Sequence, residues 1–230
     1  MSGVEIDILL LSAKVALAAI AFSLVPAFAV AWLLARRRFA GRALLEGLVA
    51  LPLVLPPVVT GFALLLLFGA RGPLGQLFEN LFGLTFAFRW TGAALAAGVM
   101  AFPLIVRPIR LSLEAVDQGL EEAAATLGAD RMVVFLTVTL PLALPGLLAG
   151  AVLGFAKALG EFGATITFVS NIPGETQTLS LAIYALLQSP EGDAAALRLI
   201  LLSIVLALGA VLASEWVARS LAKRLNDGNP

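Results

Sequence analysis

Residues 122–141 read EAAATLGADRMVVFLTVTLP, and the layout of the whole chain follows from them. The stretch lies between long apolar runs and combines acidic residues with a helical apolar pattern. Leu120, Ala123, Ala124 and Leu127 recur at helical spacing and share one face, with Asp117 and Glu121 on the other side. Gly128 can take the left-handed conformation that ends a helix, and Asp130 stands where a capping carboxylate opens the next one. The expected local structure is a short helix outside the bilayer, a sharp turn at Gly128, and a second helix ending before Pro141 as the chain re-enters the membrane.

The remainder of the chain suits such a segment. Of the 230 residues, 60% are hydrophobic and 13% charged, and the mean hydropathy is +1.01, which marks an integral membrane protein; its spans read as helices, so the expected fold is all-α. A net charge of zero gives no reason to expect a nucleic-acid partner. With no cysteine and no histidine, disulfides, a thiol nucleophile, a Ser-His-Asp triad and the usual zinc sites are excluded, and neither cofactor nor metal is expected. No G-x-x-x-x-G-K-[ST] loop occurs, so ATP that drives this protein must be hydrolysed by another chain.

Upstream of the quoted stretch, residues 8–35 form an apolar run long enough to span with some tilt. Ala27-Phe28-Ala29 has the look of a signal-peptidase site, but Glu5 and Asp7 stand where a signal peptide needs positive charge, so no cleavage is expected. Lys14, inside this run, is expected to snorkel toward the headgroups. Residues 48–69 make the second span, and Pro52, Pro56 and Pro57 kink or break it, because each removes a backbone donor. Pro56 and Pro57 therefore stand equally for pathway lining and for plain packing. Residues 70–90, with Gly72-Pro73 and several aromatics, read as an external loop with an interfacial helix anchored by Trp90. Residues 91–109 are the third span, leading into a loop over residues 110–141.

Downstream, residues 142–166 are the fourth span. Gly146, Gly150 and Gly154 form a small-residue stripe for close helix contact, within the chain or across a dimer axis. Lys157 and Glu161, four apart, share a face and are expected to pair; a structural ion pair and pathway lining both remain open. Residues 176–187 are too short to cross and read as a partly inserted external helix. Ser189-Pro190-Glu191-Gly192-Asp193 is a turn, and residues 197–218 are the last span. Of the 15 basic residues, ten (Arg36, Arg37, Arg38, Arg42, Arg107, Arg110, Arg131, Arg219, Lys223, Arg224) then fall inside. Three (Arg71, Arg89, Arg198) fall outside, and Lys14 and Lys157 lie within spans. This asymmetry favours five spans with the N-terminus out and the C-terminus in, in a single transmembrane domain over residues 1–230.

Glu122-Ala123-Ala124, Gly128, Val138 and Leu140-Pro141 stand at the spacing E-A-A-x3-G-x9-I-x-L-P, with valine for isoleucine. The pattern resembles the EAA loop of ABC importer permeases of type I. Gly160-Glu161-Phe162-Gly163-Ala164-Thr165, then Asn171-Ile172-Pro173-Gly174 with Thr176 and Thr178, and Ile183-Tyr184 sharpen the resemblance toward the permeases of molybdate importers, which runs on to Glu215-Trp216. Lys157 departs from the small neutral residue expected there.

The resemblance implies that Glu122, Ala123, Ala124, Leu127 and Gly128 form the cytoplasmic coupling helix. This helix would dock on a separate ABC ATPase subunit. It further implies a homodimer with the path between two copies, a periplasmic oxyanion-binding protein outside, and alternating access in the cytoplasmic (inner) membrane. Pro56, Pro57, Lys157, Glu161, Thr165 and Thr167 are the candidates to line the path; glycines there admit close backbone approach and the hydroxyls offer donors to an oxyanion. Sulfate, tungstate or another ABC substrate is the alternative to molybdate. A membrane-embedded enzyme using Glu161 or Lys157 lacks any nucleophile, base and oxyanion set in this sequence, and a membrane scaffold leaves the EAA spacing without a purpose.

Overall fold

The computed structural model describes residues 3–190 and 192–227, with the side chains of residues 210 and 213–227 left outside the description. Glu191 of the expected turn, Glu215, Trp216 and the inner cations Arg219, Lys223 and Arg224 thus lie outside the described side chains. The described chain is helical: α1 (Gly3–Arg36), α2 (Arg42–Val54), α3 (Pro57–Phe68), α4 (Pro73–Phe82), α5 (Trp90–Ala115), α6 (Gln118–Thr126), α7 (Arg131–Val134), a π-helical turn (Phe135–Thr139), α8 (Leu140–Leu159), α9 (Gly163–Val169), α10 (Leu179–Leu187) and α11 (Asp193–Asp227). Among the described residues, Gly3–Arg36, Trp90–Ala115 and Arg131–Leu159 are each long and apolar enough to cross a membrane. The pair α2 and α3 makes a fourth candidate if its two halves count as one span.

The core is a three-helix contact of α5 with α1 and α8, made mostly by small residues. Ala93, Ala96 and Ala97 of α5 cluster with Val15, Ala16 and Ala19 of α1, and Ala101, Ile105 and Ile109 continue the seam with Ile20 and Ala27 of α1 and Ala143 of α8. Apolar surface is not what drives helices together in lipid, so close approach through alanine and glycine carries the packing.

Three boundaries differ from the sequence reading, and each has a local cause. The helix after Gly128 does not end before Pro141; it runs unbroken from Arg131 to Leu159. Pro141 lacks an N–H and crowds the carbonyl four residues back, and the chain absorbs this by widening into the π turn, where the Leu140 N–H bonds the Phe135 carbonyl. Residues 48–69, expected to be kinked or broken, are broken into two helices bent by 112°, the first of which begins earlier, at Arg42. Leu55 and Pro56 each precede a proline, which pushes both out of the helical region, and they sit at ψ 145° and ψ 133°. The fourth apolar run stops at Leu159 instead of reaching Ile166, with a turn at Gly160 and a fresh helix from Gly163.

The outer elements follow the sequence more closely. Helix α4 is the expected short amphipathic segment, ended by Gly83 at φ 65°, and its Phe78 and Phe82 join Phe68 and Phe86 in an aromatic cluster. Lys14 does not merely snorkel: its Nζ lies 3.7 Å above the Trp90 ring, a cation–π contact. The short helix of residues 176–187 begins only at Leu179, and it buries Leu179, Leu181 and Ala182. Its first N–H is taken by the Ser12 hydroxyl of α1 at 2.7 Å.

Candidate functional site

Helix α6 forms because Asp117 caps it, its carboxylate accepting the Gly119 N–H at 2.8 Å, and because a run of alanines follows. It ends as the sequence requires. Gly128 sits at φ 93°, and the Ala129 N–H reaches back to the Ala124 carbonyl at 3.2 Å, the bonding that closes a helix through a left-handed residue. Asp130 then caps the next helix by accepting from the Met132 and Val133 amides, both at 2.9 Å. The two faces of α6 differ in what they touch. Leu120 is 51% and Leu127 89% exposed, Glu122 and Ala123 are exposed, and Ala124 is half-buried, so the apolar stripe points away from this chain.

The opposite face is tied down by Glu121, which sequence reasoning assigned to that side without a partner. Its Oε1 accepts from Arg36 Nη2 at 2.8 Å and from the Thr139 hydroxyl at 2.5 Å. One carboxylate therefore joins α6 to the end of α1 and to the last residue of the π turn. Arg36 lies 85 positions away in the chain, so spacing could not have signalled the pair; the signal available was an acidic residue on the polar face of a helix following an arginine-ended span.

The second candidate region is where the two interrupted helices meet. A Cβ on Gly163 would come within 2.6 Å of Pro57 Cβ, and one on Gly61 within 2.5 Å of the Ala164 carbonyl oxygen. The half-helices α3 and α9 thus pack backbone to backbone just past their breaks. Glu161 bridges the second break: its Oε2 accepts from Lys157 Nζ at 2.6 Å and its Oε1 from the Ala164 N–H at 3.0 Å. The Glu161 side chain is 2% exposed and that of Lys157 30%. The pair forms although Glu161 is not on the helix of Lys157, because the turn at Gly160 keeps it one turn above. Both carboxylate oxygens are engaged, which fits a brace for the broken helix.

The remaining path candidates are distributed around this point. Pro56 and Pro57 are exposed, Thr167 is half-buried and Thr165 buried. The Thr167 hydroxyl donates to the Gly163 carbonyl at 2.9 Å. Thr60 of α3, which the sequence did not single out, faces this packing with a buried hydroxyl that has no hydrogen-bond partner.

The ion pair itself is testable. Lys157→Met leaves the buried carboxylate with one backbone donor, so it should destabilise the protein by about 2 kcal/mol, more than the double change with Glu161→Gln does. Thermal unfolding in detergent across the four variants gives the coupling, and additive losses would mean that the two side chains are independent.

The glycine stripe has a definite partner. Gly146 and Gly150 of α8 lie against the Pro108 and Ile105 carbonyls of α5, at 2.4 Å and 2.8 Å from where a Cβ would stand, and Gly154 lies against the Ile105 and Ile20 side chains. The contact is within the chain.

A helical membrane body with a capped, outward-facing loop helix is the arrangement of a binding-protein-dependent transport component. Residues 16–223 match the family model of the binding-protein-dependent transport system inner membrane component, and the chain belongs to that family. It is 54% identical over 225 residues to the molybdenum transport system permease protein ModB of Haemophilus influenzae, covering 98% of each chain. It is 57% identical over 220 residues to ModB of Escherichia coli K12, covering 96% of each. Among solved structures it resembles an inward facing form of the MetNI methionine ABC transporter, with a TM-score of 0.70 and 18% identity over 96% of this chain and 99% of that one. At that identity the likeness is one of fold. Membership makes this chain a transport subunit of the inner membrane and not an enzyme, working with ATPase and substrate-binding partners.

Proposed function

We infer that this chain is the permease subunit of an ATP-driven molybdate importer. The observation that carries the substrate is the identity to molybdenum permeases along nearly the whole of both chains. In this reading α6 is the cytoplasmic coupling helix, Glu122 to Gly128 dock on the ATPase, two copies of the chain enclose the path, and a periplasmic oxyanion-binding protein delivers the anion. ATP closes the ATPase pair, the two coupling helices approach each other, and the path opens outward. Pro56, Pro57, Lys157, Glu161, Thr165 and Thr167 remain the candidates around that path, with Glu161 and Lys157 bracing the break in the helix.

The excess of basic residues on one side is what favours an N-out, C-in chain with five spans, and contacts are consistent with how the loops are grouped by side. Residues assigned to the inner side meet one another: Arg36 with Glu121, and Arg110 with both Glu46 and Glu114 at 2.9 and 2.7 Å. Residues assigned outside do the same, with Arg198 donating to Glu5 at 3.0 Å. A reporter fused after Arg42, within the coupling loop or after Arg224 should therefore report cytoplasm, and one near Gln76 or Gly174 the exterior. An external C-terminus would overturn the five-span topology. For the function, membranes holding the permease with its ATPase and binding protein should take up molybdate only with ATP; uptake of sulfate in preference to molybdate would overturn the substrate.

A further inference from the structure

A cavity of about 650 Å³ lies between the end of α1, helix α6 and the start of the Arg131–Leu159 helix. Trp32 and Phe135 line it on the membrane side, their ring centroids 5.2 Å apart, and Phe28 extends this aromatic wall along α1. Arg36, Arg37 and Arg131 line it as well, against Glu121 and Glu122. Three guanidiniums face two carboxylates, and Oε1 of Glu121 is already shared by Arg36 and Thr139. The lining keeps a net positive charge.

Arg36 is only half used. Its Nη2 donates to Glu121 at 2.8 Å, its guanidinium carbon stands 5.7 Å from the Trp32 ring, and its Nε is buried with no hydrogen-bond partner. A guanidinium is a rigid fork of donors suited to planar or tetrahedral oxyanions, and an unmet buried donor is costly. Neither Arg37 nor Arg131 has an ion-pair partner among the described residues. Three cationic groups of one cavity thus have donors to spare.

We propose that this cavity binds the phosphate of an anionic phospholipid, with the Arg36 guanidinium, Arg37 and Arg131 on the headgroup and the first part of an acyl chain along Trp32 and Phe135. The inference rests on the inward orientation and the coupling role of α6 proposed above. Basic pockets between spanning helices on the cytoplasmic side suit such headgroups. The aromatic wall favours a lipid over a free oxyanion, because it leads from the arginines along an apolar helix and offers a small, fully hydrated anion nothing. A headgroup on Arg36 also sits beside the Arg36–Glu121 bond, so occupancy would brace the coupling helix against α1.

The test is native mass spectrometry of the purified permease after equilibration in mixed micelles of phosphatidylglycerol and phosphatidylcholine. Phosphatidylglycerol should be retained in preference to phosphatidylcholine, and Arg37→Ala or Arg131→Ala should each weaken its retention about fivefold. Arg71→Ala, on the outer side, should leave it unchanged. Millimolar inorganic phosphate or molybdate should not displace the lipid. Equal retention by the Arg37→Ala, Arg131→Ala double variant would overturn the proposal, and displacement by free phosphate or molybdate would mean that the cavity is a site for soluble oxyanions. Lipid retention is read on the permease alone and ATPase co-purification on the complex, so failure of the lipid site and failure of the coupling assignment give different results.

Discussion

Gly150→Leu should leave almost no folded permease in the membrane. The glycine stands in the middle of the contact between α8 and α5, where a Cβ would lie 2.8 Å from the Ile105 carbonyl oxygen and 3.3 Å from Ile105 Cα. Both are backbone atoms of a helix that is itself held by α1, so no side chain can swing away to make room. A whole leucine there forces the two helices apart, and their close approach is the interaction that lipid cannot replace. Overpacking typically costs about 1–3 kcal/mol, and contact with fixed backbone puts this site at the upper end. Loss of the stripe also uncovers the buried alanines of α5 along their length. Membrane yield and detergent-extracted monodispersity are the measurements. Gly209→Leu is the contrast, because nothing lies within 4 Å of a Cβ at that position, and it should give normal yield. A Gly150→Leu protein with normal yield and uptake would mean that α8 does not pack on α5 as described.

The turn between α6 and the helix that follows was legible in the sequence because what shapes it is local. Gly128 must take a left-handed turn and Asp130 must cap, and both do so through neighbours within five residues. The interruption at Pro56-Pro57 was legible for the same reason, although its size was not: two consecutive extended residues turn the chain by 112°, whereas one proline in a helix only bends it. What escaped the sequence depends on partners far along the chain. Glycine spacing announces a close contact but cannot say whether α5 or a second copy supplies the other backbone. Glu121 reads as a solvated acid until Arg36 and Thr139 arrive beside it. The helix continuing through Pro141 escaped for a subtler reason. A proline rule forecasts a break, but a π turn just upstream removes the clash and lets the helix go on.

Leu127→Asp should abolish co-purification of the ATPase while leaving the permease folded in the membrane. At 89% exposed, Leu127 contributes almost nothing to this chain's own packing, so its replacement has no fold to disturb. If α6 inserts into a groove of the ATPase, the same side chain becomes buried there as an anchor of a helix-in-groove contact. Burying a leucine is worth about 1.5–3 kcal/mol, and a carboxylate in its place adds a desolvation cost, so binding should weaken by at least about 100-fold. Gly128→Val attacks the same contact through geometry. Nothing lies within 4 Å of a Cβ there, but φ 93° is a conformation that a β-branched residue resists by about 1–2 kcal/mol, so the helix is re-aimed rather than unfolded. Glu122→Lys, on the exposed side of α6, should weaken docking as well. Glu121→Gln separates docking from transmission. It leaves the exposed face intact and loosens the bond to Arg36, so ATPase should still co-purify and hydrolyse ATP while molybdate uptake falls. Retention of the ATPase and full uptake by both Leu127→Asp and Gly128→Val would remove α6 as the coupling helix.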